Sequence, residues 1–338
     1  MKRYFNLLVC VCTFALVFSA PARGQDFVTQ VADTLFGFAE LQYPDIFTSA
    51  ESTHVLIGAG GTEPWQWRWL YRYYTASNTY LAVNEKEFSV YVYGPPFGPD
   101  ITRVGTFPEV LKIIGAGIVN PGSQECVDAG FPEAGTVASY YGSDYSRALQ
   151  FITSWQDGDN GTTLIQEQHL VVNDPFAGLQ GANRVEDRVI SHSGLLYLES
   201  SSSEYDQPVH RTQEYLPVSR IESQYNPGLL LGPASRFCVG QIWVSPPVSM
   251  TESLTPALAG RPPILESGES PWSIGRVDAV NVPLQVQAGH FVTVEATIFR
   301  PWEILTRWTD VVTGIVVKEE AYFPGLGDWS QEVRKELQ

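Results

Sequence analysis

From Asp26 to Phe47 (DFVTQVADTLFGFAELQYPDIF) apolar residues recur at helical spacing. Val31, Leu35, Phe38 and Ala39 share one face, Leu41 sits at its edge, and Pro44 ends the pattern. Beyond a polar, Gly-rich stretch that reads as a loop (SAESTHVLIGAGGTEP), the period shortens to two. WQWRWLYRYY, TYLAV and EFSVYVYG are apolar or aromatic, and TASN and NEKE between them have turn composition. The spacing predicts an antiparallel meander with one helix laid against it. In the first of these strands Trp65, Trp67, Trp69, Tyr71 and Tyr73 fall on one side and Gln66, Arg68, Leu70, Arg72 and Tyr74 on the other. Arg72 reads as a partner for Glu40 or Asp45 of the helix and its end.

After about residue 123 the pattern is nearly all β. LQFITSWQ, TTLIQEQHLVV, GLLYLESSSSEY, RFCVGQIWVS, HFVTVEATIF and TGIVVKEEAYF are rich in β-branched and aromatic residues, and clusters such as DGDNG, NDPFAG and AGRPP separate them. Helical periodicity returns only in the charged ending WSQEVRKELQ. The expected fold class is mainly β (α+β): an N-terminal helix on a small antiparallel meander, then a large curved antiparallel sheet or half-barrel. The expected organisation is a leader over 1–24, the helix-plus-meander module over 25–113, a linker over 114–122, the β domain over 123–325 and a polar tail over 326–338.

The leader changes the setting. Lys2 and Arg3, an apolar run from Leu7 to Phe18 and small residues to Gly24 have the order of a secretory signal peptide. The run is shorter than the roughly 20 residues a spanning helix needs, so the expected mature chain has no transmembrane segment. Cleavage removes Lys2, Arg3 and Arg23 but no acid, which takes the formal net charge from −16 to −19. Such acidity repels phosphate backbones and excludes nucleic acid as a partner. Cleavage also removes Cys10 and Cys12. Cys126 and Cys238 remain and read as one disulfide, worth on the order of 4–5 kcal/mol by loop closure; two free or metal-binding thiols are the alternative.

Two resemblances add to this. FAELQYPDIF, LYRYYTASNTYLAVNEKEFSVYVYGP and ITRVGTF are similar to a short module that recurs in secreted proteobacterial proteins of unassigned activity; YRYY falls at its most specific residues, and the resemblance implies Tyr71 and Tyr73 as core contacts for the helix of Phe38 and Phe47. The ending IGRVDAVNVPLQVQAGHFVTVEA with RWTDVVTGIVVKEEAYF resembles that of bacterial envelope β-proteins, in which a VPAGTF-like hairpin precedes a W…G.V.K strand. The turn is Ala288 to Phe291, with His290 in place of the usual hydroxyl residue, and Trp308, Gly314, Val316 and Lys318 carry the strand motif. The resemblance implies a half-barrel that could hold a lipid and a Gram-negative, exported setting.

Candidate chemistry is sparse. G-x-S-x-G, H-E-x-x-H and phosphate-loop patterns do not occur, and His54, His169, His192, His210 and His290 are scattered. A triad built from distant residues stays open. SHSG at 191–194 reads as a turn between strands, and Asp157, Asp159 and Gly161 as a hairpin turn before they read as a calcium loop. Glu186/Asp187, Glu204/Asp206 and Glu319/Glu320 read as solvated surface charge, because sequence neighbours on a strand point to opposite faces. No catalytic, metal or cofactor residue is assigned. Trp65 and Trp67, outside the recurring pattern, are the candidate ligand-contacting aromatics. The expectation is a non-enzymatic exported protein of the bacterial envelope, periplasmic or extracellular, that binds an apolar ligand or envelope partner through its β domain. The alternatives are a secreted polysaccharide hydrolase and a carbohydrate-binding or adhesion protein with exposed aromatics.

Overall fold

The structure, a computed structural model, describes residues 27–337 apart from 43, 46, 51–53, 59–66, 85–88, 94–101, 107–116, 121–124, 143–146, 158–162, 175–178, 191–193, 211–216, 301–302 and 324–330. The leader, the proposed boundary at Gly122 and the tips of the DGDNG and SHSG turns lie outside the described residues. The strands flanking both tips pair antiparallel.

Helix α1 (Phe27–Gln42) precedes an antiparallel meander of β1 (His54–Gly58), β2 (Trp67–Tyr74), β3 (Thr79–Asn84), β4 (Ser89–Tyr93) and β5 (Thr102–Thr106). The helix and the three expected strands are present. Strand β1 arises within the stretch expected to be a loop, where His54, Val55, Leu56 and Ile57 pair with β2. The alternation of β2 also holds, but the face toward the helix is the opposite one. Leu70 and Tyr74 are buried with the helix, whereas Tyr71 stacks on His54 and Tyr73 on Tyr80 on the other side. The helix selects the even face because Arg72 reaches both Glu40 (2.8 Å) and Asp33 (3.2 Å), with its guanidinium 5.0 Å from the Phe36 ring centre. Asp45 stays exposed.

The second sheet has fifteen strands. One run is β17 (Ile264–Glu269), β16 (Ser249–Pro256), β13 (Pro217–Pro233), β12 (Leu195–His210), β11 (Leu179–Ile190), β10 (Thr163–Asp174), β9 (Arg147–Asp157) and β8 (Val137–Gly142). It continues through β22 (Gln331–Leu337), β21 (Val316–Phe323), β20 (Glu303–Asp310), β19 (Gly289–Arg300), β18 (Ser273–Val286), β15 (Ile242–Ser245) and β6 (Gly117–Val119). Every pairing is antiparallel. Although β13 and β15 are far apart in this order, they touch, so the sheet curls over itself. The Trp243 ring lies against the backbones of Gly232 and Gly275, with no room for a Cβ at Gly275.

Two expected segments behave differently. Part of the linker forms β6, an edge strand of the large sheet. The ending read as a polar tail supplies β22, which joins β21 to β8. Its register sets Glu336 opposite Lys318, 3.7 Å apart at their charged atoms, so part of what looked like tail composition is a cross-strand ion pair. The W…G.V.K motif is likewise a hairpin and not a single strand. Trp308 is in β20, Gly314 takes the left-handed turn (φ 68°), and Lys318 in β21 returns over the Trp308 ring. The VPAGTF-like segment forms the β18–β19 turn, with His290 exposed.

The helix is buried on nearly all sides. Val31, Ala32, Leu35, Phe36, Phe38 and Ala39 pack with Leu70, Tyr74 and Leu81 of the meander and with Ile242, Trp272, Ile274 and Phe299 of the large sheet. A helix covered twice must be apolar beyond one stripe, which accounts for Phe36 and Ala32 outside the expected face. The opposite face of β18–β20 carries a second core, including Trp243, Val277, Val294, Ile298 and Leu305. Beside it, β7 (Cys126–Asp128) pairs with β14 (Arg236–Cys238), and the Cys126–Cys238 disulfide joins them.

Candidate functional site

Strands β9 to β13 carry a charged face and a polar trough back to back. Alternation on β10 puts Ile165, Glu167 and His169 on one side, and the register of β11 puts Glu186 directly opposite Glu167. Two facing carboxylates repel, and both are buried, 3 % and 7 % exposed. Arg188, two residues along the same face, resolves this: its Nη2 donates to Glu167 Oε2 (2.8 Å) and to Glu186 Oε2 (2.5 Å). Its Nε donates to Glu186 as well.

The network extends in both directions. His169 Nε2 lies 3.1 Å from Glu167 Oε2 and 3.9 Å from Glu186 Oε2. Gln150 Nε2 donates to Glu167 Oε1 (2.8 Å), and the Tyr140 hydroxyl donates to Gln150 Oε1 (3.0 Å). Burial works against the Glu167 carboxylate, but Arg188 and His169 outweigh it and hold its pKa below the usual carboxylate range. Burial likewise disfavours the charged guanidinium, while Glu167 and Glu186 more than compensate and push Arg188 up. Burial, with Glu319 and Glu167 nearby, pushes the Tyr140 hydroxyl far above its ordinary value.

Glu167, His169 and Glu186 could each offer one atom to a single ion, all within 4.8 Å of one another. The guanidinium already holds the carboxylate oxygens that such an ion would need, so a metal would have to displace Arg188. The arrangement is that of an internal ion pair, closed on itself.

The reverse side is different in kind. Asp187 is exposed and accepts from Gln166 Nε2 (2.9 Å) and from the Ser200 hydroxyl (2.7 Å). These three, with Leu164, Gln224 and Tyr225, line a trough of 490 Å³ across β10 to β13. Register shifts between Gln166 and Glu167, between Asp187 and Arg188, and between Leu198 and Ser200 run across neighbouring strands at the same level. Bulges bend a sheet and re-aim side chains, and this row sits where the trough opens.

Of the residues singled out from sequence, Glu186 and Asp187 do point to opposite faces. Only Asp187 is solvated; Glu186 is a correction, buried because Arg188 neutralises it. Glu319 is also paired, with Arg307 at 2.7 Å, and Glu320 with Lys318 at 2.9 Å. Glu204 is exposed. Trp65 lies outside the described residues; Trp67 opens β2 opposite Gly58, and its side chain is not among those described. His169 joins the cluster, while Glu167 and Arg188 were not anticipated at all. Their signal was a charged or ionisable residue recurring every second position on two strands, Glu167/His169 and Glu186/Arg188. Searches of family models, curated proteins and solved structures find nothing that matches this chain.

Proposed function

We propose that this chain is an exported, non-enzymatic binding protein of a bacterial envelope, and that its β domain holds a polar ligand in the trough over β10–β13. The observation that carries this reading is the trough itself, of 490 Å³, within the usual range of about 300–1,000 Å³ for ligand sites, with a solvated carboxylate at its centre. The leader and the disulfide suit export into an oxidising compartment. A binding role fits because the buried carboxylates of the inner face are spent on Arg188 and are not left poised for proton transfer. A polar ligand fits better than an apolar one because the apolar surface of β18–β20 is already covered by Trp243, Leu230 and their neighbours.

The test is a thermal-shift screen of the mature chain against polar and apolar compounds, repeated on Asp187→Ala, with fractionation of the producing cells. The expected result is stabilisation by a polar compound that is lost in the variant, and protein found outside the cytoplasm. Stabilisation only by fatty acids or phospholipids, unaffected by the variant, would return the apolar reading.

A further inference from the structure

We infer that the trough on the reverse face of β9–β13 is a saccharide site, taking a neutral oligosaccharide laid across the strands. This rests on the reading of the trough as a ligand site and names the ligand class. Asp187 is the centre. Each of its oxygens accepts one internal hydrogen bond, from Gln166 and from Ser200, which fixes the carboxylate plane. A carboxylate offers about four acceptor directions, so roughly two remain for a ligand. Two acceptors side by side on a rigid plane match two neighbouring hydroxyls of a sugar ring.

The flanking groups suit the same chemistry. Gln156 and Gln224 are exposed amides, each able to donate and accept, as sugar hydroxyls do. Leu164, 39 % exposed, and the half-buried Tyr225 add apolar surface on which the C–H face of a ring can rest. Five strands about 4.8 Å apart give a length of roughly 19 Å, which suits a linear chain better than a single ring. All these residues sit on paired strands, which hold a site more rigidly than loops do.

Charge narrows the class. Arg188 also borders the trough, but its guanidinium is engaged by Glu167 and Glu186, which leaves Asp187 and Glu199 to set a negative local field. Phosphate, sulfate and uronate groups are repelled. A bare cation is disfavoured too, because the amide of Gln166 and the hydroxyl of Ser200 already direct protons at both oxygens of Asp187.

The experiment is calorimetric titration of the mature protein with neutral hexasaccharides of β-1,4-glucose, α-1,4-glucose, β-1,4-xylose and β-1,4-N-acetylglucosamine. An oligogalacturonate and calcium chloride alone serve as charged probes, alongside the compound that stabilised the protein in the thermal-shift screen. Asp187→Ala and Gln224→Ala are titrated in parallel, with thermal midpoints to show that both are folded. The expected result is binding of at least one neutral hexasaccharide, weakened tenfold or more in each variant, with no binding of the galacturonate. Absence of binding by all four neutral sugars, or binding that both variants retain, overturns the inference. So does calcium alone binding through Asp187. A non-saccharide polar compound that depends on Asp187 would overturn the sugar assignment and leave the ligand site standing; dependence of no compound on either residue would remove both.

Discussion

The inner face of the large sheet buries Val294, Ala296, Ile298 and Leu305 at one end and, at the other, Glu167 and Glu186, which Arg188 holds. The same ladder of backbone hydrogen bonds supports both ends. The apolar end depends on shape: the Trp243 ring fills the space left by two glycines, and any added atom must collide. The polar end depends on charge: two carboxylates share one guanidinium and the donors of His169 and Gln150, and removing Arg188 leaves both buried carboxylates without their counter-ion. One end should therefore fail by steric change at every pH, and the other by charge change in a manner that pH can reverse.

Arg188→Met tests the polar end and carries the largest expected effect, a loss of about 3–5 kcal/mol at neutral pH because Glu167 and Glu186 stay buried without their counter-ion. In the native protein the lowered Glu167 pKa contributes stability that is present above its ordinary value of 4.5 and is lost as pH falls below it. In the variant the penalty belongs to the charged carboxyls, so urea midpoints of variant and native protein should converge on acidification. Equal deficits at pH 7 and pH 4 would break the contrast between the two ends.

At the apolar end, Gly275→Ala drives a methyl into the Trp243 ring and should cost about 1–3 kcal/mol or more. Here the loss is expected to be the same at both pH values, measured by the same urea titrations. Arg72→Ala, at the meander, removes two ion pairs and a ring contact and should cost about 1–2 kcal/mol; a variant as stable as the native protein would show that α1 is held by its apolar contacts alone.

The smallest effect, and of opposite sign, belongs to Glu295, on the face of β19 opposite Val294, Ala296 and Ile298. Burial, with Asp278 nearby, raises its pKa. The folded state thus holds a proton that the unfolded chain has already released, and stability falls as pH rises past about 4.5. Glu295→Gln should raise the thermal midpoint slightly at pH 7 and leave it unchanged at pH 4. A gain that persists at pH 4 would assign the effect to packing.

The sequence carried the element types well because period two and period 3.6 are local properties. Helix α1, the meander and most strands of the large sheet follow from it, as does the Cys126–Cys238 pair. What it lacked was the partner across each strand. Tyr71 and Tyr73 looked like core residues because YRYY falls at the most specific positions of the recurring module, yet Arg72 turns the other face to the helix through Asp33 and Glu40, residues about thirty to forty positions away. The ending QEVRKEL looked like a solvated tail because nothing local pairs with it; its partners are the distant strands β21 and β8. Glu186 looked solvated for the same reason. The trough was equally hidden, since a row of bulges is a relation among strands and leaves no mark on any one of them.

Strand β22 has a further consequence, in time. It pairs on one side with β8, so Tyr140 meets Leu337 across roughly two hundred residues of intervening chain. On the near side of that gap, α1 cannot complete its core before Trp272, Ile274 and Phe299 exist. The helix meets Leu70, Arg72 and Tyr74 of the meander early, but neither its full core nor the large sheet is complete until residues from the far part of the chain are present. Closure of the large sheet is thus a late event set by one long-range pairing, whereas the helix and its meander find each other within the first hundred residues.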